Sequence, residues 1–323
     1  MKMNKFIILP LFFLSIIFSL SASSWVMIWM GMELNLLSFI FMLLKEKTIM
    51  NTESTMSYFM IQAIGSLMFL FVINVNMIFY NEISSINAWA PPLALMLKSG
   101  MAPLHSWTPS VVSKFNPSSL FMFLTMQKLV PMVILFSSWF SICTWISFTN
   151  IFMGSIGGIT QASVHKLLVS SSINNIGWMI LCMMQSILMF VIFFFSYTMM
   201  NFLTINFVKT FKIKWVVQIN SMTYTNKLLF FSLMMSLGGL PPFLGFMPKW
   251  LIIKKISSLM PTLVFFSIIL SVITLFFYMK MTLTLLVLSS SDLKSRMTWK
   301  TSLKYYLFVL FNCLSPLMFV VLT

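Results

Sequence analysis

Long apolar runs separated by short polar breaks constrain this chain more than any other feature. Each is close to the ~20 residues that a bilayer-spanning helix needs, and none alternates as barrel strands do. We count eleven, at about 6–22, 25–44, 57–79, 88–106, 118–138, 143–160, 167–184, 187–208, 228–252, 261–287 and 304–322. Backbone in lipid must satisfy its own hydrogen bonds, so runs of this kind predict an all-α polytopic membrane protein. Composition agrees: 59% of the 323 residues are hydrophobic and 8% charged, against about 25% charged in soluble domains. Disordered and fibrous classes are excluded. Cys143, Cys182 and Cys313 each stand alone in an apolar run. They are too few for a disulfide scaffold and too scattered for a metal or iron–sulfur site. No phosphate-binding loop, nucleotide fingerprint or nucleophile elbow occurs, and the loops are too short to house a catalytic domain. The segment after Met1-Lys2-Met3-Asn4-Lys5 mimics a secretory signal, but it is long for one and further spans follow; it reads as the first span.

Charge placement predicts orientation. With eleven spans, the N-terminus and the even-numbered loops share one side. That side carries Lys2, Lys5, Lys45, Lys47, Lys114, Lys166, Lys209, Lys212, Lys214, Lys227, Lys294, Arg296, Lys300 and Lys304, and the other side only Lys254 and Lys255. Basic residues favour the cytoplasm-equivalent face, so the N-terminus is expected there and the C-terminus across the membrane. The net charge of +15 therefore calls for no nucleic acid.

Four cations fall inside spans, Lys98, Lys128, Lys249 and Lys280, together with Glu33 in Trp29-Met30-Gly31-Met32-Glu33-Leu34-Asn35. A charge at mid-bilayer costs about 2.5–3.5 kcal/mol on the lenient scale, so four unpaired charges would cost roughly 10–14 kcal/mol. That rivals the stability of a typical domain, so these groups must be paired, hydrated or neutral. Lysine can release its proton when desolvated; arginine cannot. Three of the lysines sit beside helix breakers: Lys98 in Leu97-Lys98-Ser99-Gly100-Met101-Ala102-Pro103, Lys128 in Gln127-Lys128-Leu129-Val130-Pro131, and Lys249 in the Gly- and Pro-rich stretch 238–250. Proline frees the carbonyl four residues earlier. Broken helices at membrane depth line wet cavities or lie buried in protein. Freed carbonyls and water would solvate an ammonium group there. Ser170-Ser171-Ser172-Ile173-Asn174-Asn175 adds uncharged polarity to the seventh span, suited either to ordered water or to interhelical hydrogen bonds. Lys280 lies nearer a span end and reads as snorkelling. His105, His165 and Lys166 read as interfacial, and Trp107 and Trp250 as interfacial anchors.

These same stretches, with Ser171-Ser172-Ile173-Asn174-Asn175-Ile176-Gly177-Trp178 and Gly238-Gly239-Leu240-Pro241-Pro242-Phe243-Leu244-Gly245-Phe246-Met247-Pro248-Lys249-Trp250, resemble in order the antiporter-like membrane subunits of mitochondrial respiratory complex I. The likeness covers about residues 20–285; the tail beyond about 290 carries no motif. It implies two inverted five-helix repeats, at 6–138 and 143–287, each with one broken helix, and a terminal helix at 304–322. It implies a proton relay in which Glu33 is the acid, Lys98 its paired lysine, Lys128 the central relay and Lys249 the exit-side lysine. His105, Lys166 and Asn175 become possible relay or water-orienting residues. Asn175 stands where the family has His, and His165 where it tends to have Arg. The resemblance also implies a multi-pass protein of the mitochondrial inner membrane, N-terminus in the matrix and C-terminus in the intermembrane space. Its partners would be other membrane-arm subunits, including a neighbouring antiporter-like one, and phospholipids. No cofactor is expected in this chain; NADH, FMN, iron–sulfur clusters and ubiquinone would be bound elsewhere in the complex. Two other readings stay open: a stand-alone cation/proton antiporter, and a non-conducting structural subunit.

Overall fold

The computed structural model describes residues 5–44, 48–78 and 84–287. Among these, the regular structure is helical: α1 (Lys5–Ser21), α2 (Trp25–Leu43), α3 (Ile49–Ile78), α4 (Ser84–Ser99), α5 (Trp107–Val112), α6 (Pro117–Leu124), α7 (Met126–Ser138), α8 (Phe140–Gly157), α9 (Val164–Gln185), α10 (Ile187–Phe211), a short 3-10 helix at Val216–Ser221, α11 (Tyr224–Gly238), α12 (Phe246–Ile256) and α13 (Pro261–Val287). Each of the ten apolar runs expected between 6 and 287 coincides with one helix or with consecutive helices. Among the described residues, seven stretches are long and apolar enough to cross a membrane, one of them formed by α6 and α7 together. The protein is a multi-pass membrane protein. The expected terminal helix at 304–322 and Cys313 lie outside the described residues.

Helix ends follow local chemistry. Ser24 and Ser186 cap α2 and α10, their hydroxyls accepting from the Met27 and Met189 amides, which meets backbone donors that the first turn leaves unpaired. Within the helices most Ser and Thr hydroxyls donate to a carbonyl one turn back, as Ser15, Ser38 and Ser267 do. The polar group is then satisfied without a partner helix.

The chain divides into two compact units between Ile146 and Ser147. In the first, α2 packs on α1 and α3, α3 on α4, and α7 on α1, α4 and α6. Phe39, Tyr58, Phe115 and Phe123 form one aromatic cluster, with ring centroids 5.3–6.4 Å apart and every pair edge-to-face except the tilted Phe39–Phe123. In the second unit α9 is the centre, buried without interruption from Leu167 to Met183. Small residues permit this. A β-carbon at Gly177 would lie 2.5 Å from the Ile151 side chain and 2.8 Å from the Ser147 carbonyl, and one at Gly154 would meet the Asn174 backbone. Close approach through glycine is how membrane helices gain packing energy where lipid supplies no hydrophobic drive.

Candidate functional site: buried lysines at helix breaks

In the first unit α4 ends one residue after Lys98. Gly100 turns the chain at φ 70°, and the Met101 amide donates back to the Met96 carbonyl. The carbonyls exposed by the break are taken by side chains. Ser99 Oγ donates to Leu95 and Met96, and Gln62 Nε2 of α3 donates to the Lys98 carbonyl at 2.8 Å. The break falls at Gly100, three residues before Pro103. Lys98 Nζ lies 3.8 Å from Glu33 Oε1 of α2; its side chain is 4% exposed and that of Glu33 27%. Neither atom has a hydrogen-bond partner. The pair is thus an ion contact across a gap and not a hydrogen bond.

Lys128 is buried in α7, its ammonium 5.7 Å from the centre of the Phe123 ring. The helix interruption beside it is not at Pro131, which α7 contains, but at Thr125. There the Thr125 hydroxyl donates to the Phe121 carbonyl at 2.8 Å while the backbone swings to φ −111°, ψ −77°. That interruption joins α6 to α7 three residues before Lys128.

In the second unit the Gly- and Pro-rich stretch opens the chain between α11 and α12. Gly239, at φ 85°, ends α11. Lys249 reaches back from the first turn of α12, and its Nζ donates to the Gly238 carbonyl at 2.9 Å. This is a freed carbonyl solvating an ammonium, the arrangement expected of a broken helix. The Trp178 ring of α9 lies 5.8 Å from the same ammonium, near enough for cation–π attraction.

The other candidates are placed apart from these clusters. His105 is half-buried beyond the first break, its Nδ1 3.2 Å from the Pro103 carbonyl. Lys166 is half-buried in the first turn of α9, and Asn175 is buried in its middle. The three serines Ser170, Ser171 and Ser172 each donate to their own helix backbone at 2.6–2.9 Å. Lys280 is exposed on α13. Trp107 is only half-buried, yet its indole nitrogen is buried without a partner and its ring meets Tyr58 and Phe123; it packs rather than anchors.

Several polar residues escaped the sequence reading. Lys227, which loop counting assigned to a polar connection, is buried in the first turn of α11. Beside it the Asn226 amide is fully buried with no partner. In the second unit the Tyr278 hydroxyl and both polar atoms of the Asn201 side chain are buried without a hydrogen-bond partner. In the first unit Asn35, Gln62 and Gln127 gather around Lys98. The signal available was the amide or phenol in an otherwise apolar run, since a buried polar group requires a partner.

Among the described residues no three His, Cys, Asp or Glu side chains converge as metal ligands would. Buried lysines beside helix interruptions mark this multi-pass helical membrane protein as one that holds ionisable groups inside its spans. The model of the NADH:quinone oxidoreductase/Mrp antiporter transmembrane family matches residues 22–274, and the chain belongs to that family. Within it, the similarity is to NADH-ubiquinone oxidoreductase chain 2. The Anopheles gambiae protein of that name is 36% identical over 296 residues, covering 88% of this chain and 86% of the relative. Among solved structures, a chain of respiratory complex I from Thermus thermophilus superposes with a TM-score of 0.78 at 16% identity, covering 97% of this chain and 78% of that one. A chain of the Mrp complex from Dietzia sp. DQ12-45-1b gives 0.73 at 15% identity over 85% of this chain. This chain spans 59% of the length of that Mrp chain.

Proposed function

We propose that this chain is a membrane-arm subunit of a proton-pumping NADH:ubiquinone oxidoreductase, in the mitochondrial inner membrane with its N-terminus in the matrix. It carries protons through Glu33, Lys98, Lys128 and Lys249 while electron transfer takes place elsewhere in the complex. NADH, FMN, iron–sulfur clusters and ubiquinone belong to other subunits, and neighbouring membrane-arm subunits and phospholipids surround this one. The two halves, 6–138 and 143–287, act as inverted repeats, each with a helix that opens beside a buried lysine.

The observation that carries this reading is the buried Lys98–Glu33 contact at 3.8 Å beside a broken helix. Unit charges about 4 Å apart interact by about 4 kcal/mol at an effective dielectric near 20. Moving one charge against 100 mV costs about 2.3 kcal/mol. A displacement that weakens the pair therefore changes the proton affinity of Lys98 by enough to drive a proton forward. Electron transfer supplies the displacement, Lys98 releases its proton through water toward Lys128, and Lys249 passes it out.

Replacing Glu33 by Gln removes the charge and keeps the shape. In the assembled complex, proton transport is expected to fall, by about tenfold (~1.4 kcal/mol in the barrier) if the step becomes limiting. Undiminished transport with normal assembly overturns the assignment. A stand-alone cation/proton antiporter is distinguished by the purified chain alone in liposomes. We expect no sodium-for-proton exchange without its partners.

A further inference from the structure

Between α2, α3, α4 and α7 lies a cavity of about 20 Å³, lined by Asn35, Tyr58, Gln62, Lys98, Gln127 and Pro131 among others. That is room for about one water molecule, and a water settles in such a space only where it finds two to four polar partners. Here they are present. Lys98 Nζ, on a side chain 4% exposed, has no hydrogen bond, and Glu33 Oε1 is 3.8 Å away, likewise unbonded. Gln62 uses its amide nitrogen on the Lys98 carbonyl at 2.8 Å, and Gln127 uses its nitrogen on Asn35 Oδ1 at 3.3 Å. All three amide side chains, Asn35, Gln62 and Gln127, line the cavity together with Lys98. In the second unit, by contrast, Lys249 already holds a carbonyl at 2.9 Å.

We propose that this cavity binds one ordered water to which the Lys98 ammonium donates, and that Asn35, Gln62 and Gln127 are positioning residues that orient it for proton transfer. Amides suit this role because they donate and accept without titrating, so they fix the water's lone pair without trapping the proton. In the step, an N–H bond of Lys98 breaks as an O–H bond to the water forms. The water releases one of its own protons toward the next acceptor, and no electron moves. Lys128 does not face the cavity, but its neighbours Gln127, Val130 and Pro131 on α7 do, so the water lies against the helix that carries the next lysine. The proposal rests on the proton-relay reading above and adds to it a particular site and three residues.

The test uses the assembled complex in proteoliposomes and a map fine enough to show water. A density peak is expected within hydrogen-bond distance of Lys98 Nζ and an amide oxygen. Gln127→Leu should remove it, slow proton transport by about tenfold and raise the solvent deuterium isotope effect; Gln127→Asn, which keeps an amide, should restore part of the rate. Gln62→Leu is expected to act likewise, but Gln62 also caps α4, so Gln127 is the decisive position. A dry cavity overturns the proposal, as does a Gln127→Leu complex with unchanged transport and isotope effect. Lys128→Met separates the two readings. If Lys128→Met slows transport while Gln127→Leu does not, the water site fails and the relay stands; if neither slows it, the relay itself fails.

Discussion

The Lys249 ammonium donates to a backbone carbonyl at 2.9 Å, whereas Lys98 stands 3.8 Å from a carboxylate with no hydrogen bond. A lysine with a short, fixed acceptor suits holding a proton at one place. One across a gap from its counter-charge suits responding to movement, because its energy changes with a separation that nothing clamps. Replacing Lys249 by Met should therefore leave the Gly238 carbonyl without its donor and slow proton transport about tenfold, ~1.4 kcal/mol in the barrier, measured as pumping rate at matched assembly. A useful control lies outside this axis. Lys114 and Glu53 pair at 2.9 Å with side chains 34% and 65% exposed. Pairs as open as this contribute about 0–1 kcal/mol. Glu53→Gln is expected to shift the melting temperature little and to leave proton transport unchanged.

Helix breaks place the lysines, and their glycines are the vulnerable points. Gly239 sits at φ 85°, and a β-carbon added there would lie 3.2 Å from both Lys249 Nζ and the Gly245 carbonyl. Gly239→Ala should cost about 1–2 kcal/mol from the left-handed backbone alone and disturb the Lys249 contact, seen as lower thermal stability of the complex and slower pumping together. Gly177→Val, at the α8–α9 contact, should destabilise by about 1–3 kcal/mol through overpacking, read as reduced assembly. The apolar runs showed where the helices lie because lipid demands length and apolarity, and Gly238-Gly239 with Pro241-Pro242 showed the opening between α11 and α12. Pro131 misled: proline inside a helix frees a carbonyl, but the backbone changes course where Thr125 makes its own local bond. Lys227 misled as well, because a charge near a span boundary gives no sign of whether the helix begins before or after it. Asn35, Gln62 and Gln127 were not legible as a group, since three amides on three helices become neighbours only through packing.

For the whole molecule, each unit contains a lysine at an opened helix and a second buried lysine, and the first adds a counter-ion. Charges of this kind are costly in lipid, and a chain that only filled space could hold its helices together with glycine contacts and apolar packing. The proposed proton carriage gives the charges a purpose that packing does not. The most direct measurement is the number of protons moved per electron pair by the assembled complex in proteoliposomes, comparing the native chain with Lys128→Met. The relay predicts a lower proton yield in the variant at normal assembly. An unchanged yield in a fully assembled Lys128→Met complex would contradict it.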